Sequence, residues 1–85
     1  MTKILVEINC PSTARNYEFW ISKQMIVKDV IKICKEEICM TEGNKKIFND
    51  NENTVLFSQR LRIPLNENYT ATEAGIISGD KLMIV

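Results

Sequence analysis

The stretch that decides the fold runs Thr70-Ala71-Thr72-Glu73-Ala74-Gly75-Ile76-Ile77-Ser78-Gly79-Asp80-Lys81-Leu82-Met83-Ile84-Val85. Its Gly79-Asp80 pair is a turn signal, because glycine adopts left-handed backbone without a Cβ clash and an aspartate side chain bonds its own turn. Directly after the turn, Leu82 and Ile84 alternate with Lys81 and Met83. A period of two is that of a strand with one buried face, so a final strand is predicted, with the chain stopping inside or just after it. Glu73 and Asp80 are too isolated to form a working carboxylate pair, and Asp80 is read as a turn residue.

The same period marks the other end of the chain. Ile4, Val6 and Ile8 alternate with Lys3, Leu5, Glu7 and Asn9, and Cys10-Pro11-Ser12-Thr13 breaks the pattern. Tyr17, Phe19 and Ile21 then alternate with Glu18, Trp20 and Ser22, so residues 3–9 and 17–22 pair as a hairpin around a loop of about seven residues. Between the two ends the period changes. Val27, Val30, Ile31, Cys34 and Ile38 fall at steps of three and four, which predicts one amphipathic helix over 26–39 with Lys28, Lys32, Lys35 and Glu36 on its wet side and Gly43 closing it. Residues 45–48 and 54–57 read as a second hairpin around the polar run 49–53. Pro64 confines residues 63–65 to an edge, because proline has no N–H to give a ladder.

Composition removes whole classes of function. At 85 residues the chain is read as a single domain over 1–85. It carries 11 basic and 11 acidic residues, without the basic bias of a phosphate-tracking protein, so nucleic acid is not an expected partner. Histidine is absent, which removes Ser-His and Cys-His nucleophile pairs and the ligands of most catalytic zinc sites. Cys10, Cys34 and Cys39 contain no Cys-x-x-Cys spacing and are read as reduced thiols. No catalytic, cofactor-binding or metal-binding residue is assigned. The N-terminal apolar run is too short for a signal peptide and contains Glu7, and no run reaches the roughly 20 apolar residues that span a bilayer, so membrane insertion is not expected and the expected location is the cytoplasm.

Strand, strand, helix, strand, strand and last strand, in that order, give an α+β fold in which a single helix lies across a mixed sheet of four to five strands. Over nearly its whole length the sequence resembles the ubiquitin-like β-grasp proteins. Two segments carry the resemblance: Ile26-Val27-Lys28-Asp29-Val30-Ile31-Lys32-Ile33 is similar to the start of the ubiquitin helix, and more so to that of the bacterial YukD/EsaB family, while residues 70–82 match the turn, buried isoleucine and Gly-Asp pair that precede the last strand. Ubiquitin and the sulfur carriers of this fold end in a flexible Gly-Gly tail whose carboxylate is adenylated. Here the sequence ends Met83-Ile84-Val85, so a carrier of the sulfur-transfer or conjugation type is disfavoured. The resemblance to YukD/EsaB implies a non-enzymatic protein-interaction module, a cytoplasmic accessory or regulator of a bacterial type VII secretion system. Its expected partners are proteins, with membrane components of a secretion machine among them. In that family the fold also occurs as a domain of the large membrane component, so an excised domain of a longer protein is the other form to consider.

The hairpin phases place Leu5, Trp20 and Met83 on the side of the sheet turned away from the helix, and adjacent strands are expected to make them neighbours. Tryptophan and methionine on an exposed sheet are typical anchors, so these three are the candidate interaction residues. The alternative is that Trp20 and Leu5 cover each other or lie under residues 59–69. Cys34 belongs to the helix's apolar stripe and is expected in the core. Cys39 has no base or cation beside it in the sequence, which argues against a reactive thiol. The Asn68-Tyr69-Thr70 glycosylation pattern is read as chance.

Overall fold

The computed structural model describes residues 3–48 and 54–85. The N-terminal alternation becomes strand β1 (Lys3–Cys10), with Ile4, Val6, Ile8 and Cys10 buried, paired antiparallel with β2 (Arg15–Ser22). The hairpin is tighter than expected. Its ladder continues through Asn9–Asn16 and Cys10–Arg15, which leaves residues 11–14 as the loop. Two polar residues lengthen β2 because Asn9 Nδ2 donates to Asn16 Oδ1 at 2.7 Å. The turn closes through Thr13 and Ala14 N–H groups on the Cys10 and Pro11 carbonyls, with Ala14 at a φ of 58°.

The helix α1 (Val27–Glu42) buries the expected stripe, Val27, Val30, Ile31, Cys34 and Ile38. Its limits differ from 26–39. Ile26 is extended and serves as the N-cap without a capping side chain, and the backbone supplies the missing partners: the N–H groups of Val27 and Lys28 donate to the Tyr69 and Glu67 carbonyls at 2.8 and 3.0 Å. At the other end Met40-Thr41-Glu42 add most of a turn. Gly43, at a φ of 66°, then closes the helix, with its own N–H on Met40 O and that of Asn44 on Cys39 O, the paired bonds of a Schellman motif.

The second hairpin does not form as the sequence pattern suggests. Residues 45–48 run as turns with Ile47 and Phe48 laid against the core, and the polar run 49–53 lies outside the described residues. The later half of that reading becomes β3 (Leu56–Ser58), which pairs antiparallel with β4 (Ile63–Pro64) on one side and with β5 (Lys81–Ile84) on the other. Leu56 prefers this position because it is fully buried opposite Ile84, where each such side chain contributes about 1.5–3 kcal/mol of gross burial. Pro64 is on the outermost strand, as its missing N–H requires.

β5 also pairs in parallel with β1, giving the order β2-β1-β5-β3-β4. The result is a mixed five-stranded sheet with α1 across one face, the ubiquitin-like β-grasp arrangement. The core lies between them and is closed at one end by Leu65, Ala71, Ala74 and Ile76. Residues 70–73 are shaped by reciprocal bonds, Glu73 N–H to Thr70 Oγ1 at 3.1 Å and Thr70 N–H to Glu73 Oε1 at 2.9 Å, a capping box around a single turn. Gly79, at a φ of 81°, then donates its N–H to Leu5 O at 2.7 Å and brings the chain into β5 beside β1.

Candidate protein-interaction surface

With Ile4, Val6, Ile8, Leu82, Ile84 and Leu56 turned toward the helix, the alternate residues of each strand form the opposite face of the sheet. The strand register orders them in rows. Leu5 stands directly opposite Trp20, and Trp20 is 66% exposed. The next row places Glu18 opposite Glu7 and Glu7 opposite Lys81. The row after that runs Asn16, Asn9, Met83, Phe57, Pro64.

This geometry brings together only two of the three residues singled out from the sequence. Leu5 and Trp20 are cross-strand neighbours, whereas Met83 pairs with Asn9, four residues further along β1, or about 13 Å at 3.3 Å per residue. The parallel register between β1 and β5 causes the separation. Met83 belongs instead with Phe57 and Pro64, beside the Val55–Val85 backbone pair. Sequence reasoning missed these neighbours, because the three residues of β3 are too few to display an alternation. Trp20, on the edge strand opposite β4, stays 66% exposed, so neither residues 59–69 nor Leu5 cover it, while Leu5 beside it is half-buried.

Two carboxylates elsewhere tie elements of the fold together. The Asp80 carboxylate, with 1% of its side chain exposed, receives Arg60 Nε at 3.3 Å, Arg60 Nη2 at 3.4 Å and the Lys81 and Ile77 N–H groups at 3.1 and 3.4 Å. Arg60 also donates to Gly75 O, so one guanidinium ties the β3–β4 turn to the loop leading into β5. Glu42 receives the Tyr17 hydroxyl at 3.1 Å and lies 3.5 Å from Arg15, fixing the helix end to β2. Lys28, Lys32 and Lys35 border a groove of about 350 Å³ that Glu36 and Glu67 share, so the lysines do not form a single-sign surface. Burial, with the Glu37 charge as a lesser cause, pushes the Cys34 thiol up to about 12, which keeps it protonated and inert at neutral pH. Cys39 is half-buried. Among the described residues no three His, Cys, Asp or Glu side chains group in a way that could hold a metal ion, and no helix is long and apolar enough to cross a membrane.

No family model matches the chain, and no curated protein sequence matches it. Solved structures do. The ubiquitin-like domain of EccD5 from Mycobacterium xenopi superposes with a TM-score of 0.79 at 14% identity, over 100% of this chain and 94% of that one. The ubiquitin-like domain of the Mycobacterium tuberculosis type VII secretion system protein EccD1 gives 0.74 at 14% identity, over 100% and 99%. The UBL domain of Plasmodium falciparum Dsk2 gives 0.72 at 17% identity, over 99% and 97%. At these identities the likeness is one of fold, and the fold is ubiquitin-like.

Proposed function

We propose that the chain is a non-enzymatic ubiquitin-like protein-interaction module, a cytoplasmic accessory or regulator of a type VII secretion system that docks through the open face of its sheet. The observation that carries the docking reading is Trp20, 66% exposed on an edge strand directly beside Leu5. A large aromatic side chain left in water at the surface of a small domain gains most when a partner covers it. The secretion reading is supported by the fold shared with the EccD ubiquitin-like domains. Membrane components of the secretion machine are the partners it calls for.

The experiment is an affinity purification of the tagged chain and of its Trp20→Ala variant from the native cells, with the recovered proteins identified by mass spectrometry. Wild type is expected to recover secretion-machine components. Trp20→Ala is expected to bind them more weakly by over about 1 kcal/mol, with its melting temperature nearly unchanged because the side chain is mostly exposed. Recovery of an adenylating enzyme or of covalent adducts overturns the reading in favour of a carrier. Lower stability with binding intact makes Trp20 a structural residue.

A further inference from the structure

The Leu5–Trp20 pair and the Glu7–Glu18 pair are alternate rungs on the same face of one hairpin. Like charges directly opposite each other on antiparallel strands destabilise the sheet. Lys81 flanks Glu7 on the far side but lies two strands from Glu18, about 10 Å at the usual strand spacing. Among the described residues no ion pair or side-chain hydrogen bond engages Glu7 or Glu18. The hairpin therefore holds a repulsive carboxylate pair, uncompensated on its edge side, against an exposed tryptophan.

Resting on the interaction-module reading, we propose that these two rungs form one composite site for an extended segment of a partner protein that carries arginine or lysine two residues from an apolar side chain, on the same face. The cation sits between the Glu18 and Glu7 carboxylates and relieves their repulsion, its alkyl stem running along the indole of Trp20, where the ring face also attracts positive charge. The neighbouring apolar side chain covers Leu5. The complementarity is of sign and spacing: successive side chains on one face of an extended segment are about 6.6 Å apart, which is the spacing of the two rungs. Asn9 and Asn16, bonded to each other beyond the carboxylates, limit the site on that side.

The competing explanation is that Glu18 guards an edge strand against pairing with another sheet. The test uses the whole chain, its Glu7→Gln/Glu18→Gln and Glu18→Gln variants, and two short capped peptides, one carrying leucine and arginine two residues apart with serine between and beyond them, so that both fall on one face of the extended segment, and the other carrying glutamate in place of the arginine. Binding is followed by NMR at the Trp20 indole and the Glu7 and Glu18 amides. The arginine peptide is expected to shift all three signals, to weaken about three- to tenfold in the double variant, and to weaken further at about 0.5 M salt, where the Debye length is about 4 Å. The glutamate peptide is expected to leave them in place. Equal response to both peptides leaves the docking reading standing and overturns the preference for a cation. No response at Trp20 to either peptide overturns both. Independently, Glu18→Gln is expected to raise the folding constant about two- to fivefold at low salt by removing the repulsion. A loss of stability, or dimerisation of that variant, overturns the proposal in favour of a structural or edge-guarding carboxylate.

Discussion

Asp80→Ala removes the carboxylate that gathers the bonds of the loop leading into β5, and its cost can be worked from the partners. The Lys81 N–H, at 3.1 Å, loses a charge-assisted bond, and the longer Ile77 contact at 3.4 Å adds less. Such bonds contribute about 1.5–3 kcal/mol, with donors left unpaired in a buried site adding to the loss. Arg60 is 41% exposed and recovers hydration when released, so its two long bonds to Asp80 contribute only about 1 kcal/mol. The total is about 2–4 kcal/mol, against about 4–13 kcal/mol of stability for a domain of this size. Asp80→Asn keeps an acceptor and is expected to cost about half as much. The assay is urea unfolding followed by far-UV circular dichroism. Guanidinium is unsuitable because its salt screens the ion pair, and Trp20 is too exposed to report unfolding by its fluorescence. At an m value of about 1 kcal/mol per M the midpoint falls by about 2–4 M. A fall below about 1 M refutes the argument, since it means that the Asp80 carboxylate holds neither the turn nor Arg60.

Gly43→Ala is expected to cost about 1 kcal/mol, and Gly43→Asn less, because the penalty is the left-handed backbone at φ 66° and no atom stands within 4 Å of an added Cβ. At this size that is a melting-temperature drop of about 4–8 °C for the alanine variant, and a fall as large for asparagine as for alanine argues against the left-handed cap. The raised Cys34 thiol, about 12 against the ordinary 9.0, makes its stabilisation complete below pH 9 and lost as pH rises toward 12, because the unfolded chain releases that proton first. The loss is about 1.4 kcal/mol per pH unit inside this window. Cys34→Ala is expected to flatten urea midpoints measured from pH 8.5 to 11 relative to wild type, and parallel slopes would show that the thiol is not held protonated by its site.

Elements long enough to display their period were legible in the sequence. β1, β2, β5 and the helix stripe each repeat at least twice, so Ile4, Val6, Ile8, Val30, Cys34, Leu82 and Ile84 could be placed inside. β3 and β4 span three and two residues, too few to show alternation, and their partners lie far away in the chain. The β1–β2 loop is shorter than its polar run suggests, because Arg15 and Asn16 are polar strand ends and because Ala14 reverses the chain without being a glycine. The shorter loop also sets Glu7 opposite Glu18, since a hairpin's register follows its loop length. Strand phase alone places Leu5 and Trp20 on one face, and the register that sets Glu7 opposite Glu18 also makes them neighbours. The distance to Met83 was not readable, because nothing local in the sequence fixes a parallel register.

The helix start has a kinetic consequence. A helix whose N-cap offers a side-chain oxygen can close its first turn by itself, but Ile26 offers none, and the donors of Val27 and Lys28 wait for carbonyls at residues 69 and 67. Closing that gap means ordering a loop of several tens of residues, an entropic cost that local helix formation cannot offset early. The first turn of α1 is thus coupled to the arrival of the C-terminal third of the chain, and the Gly43 end, capped by its own neighbours, orders without it.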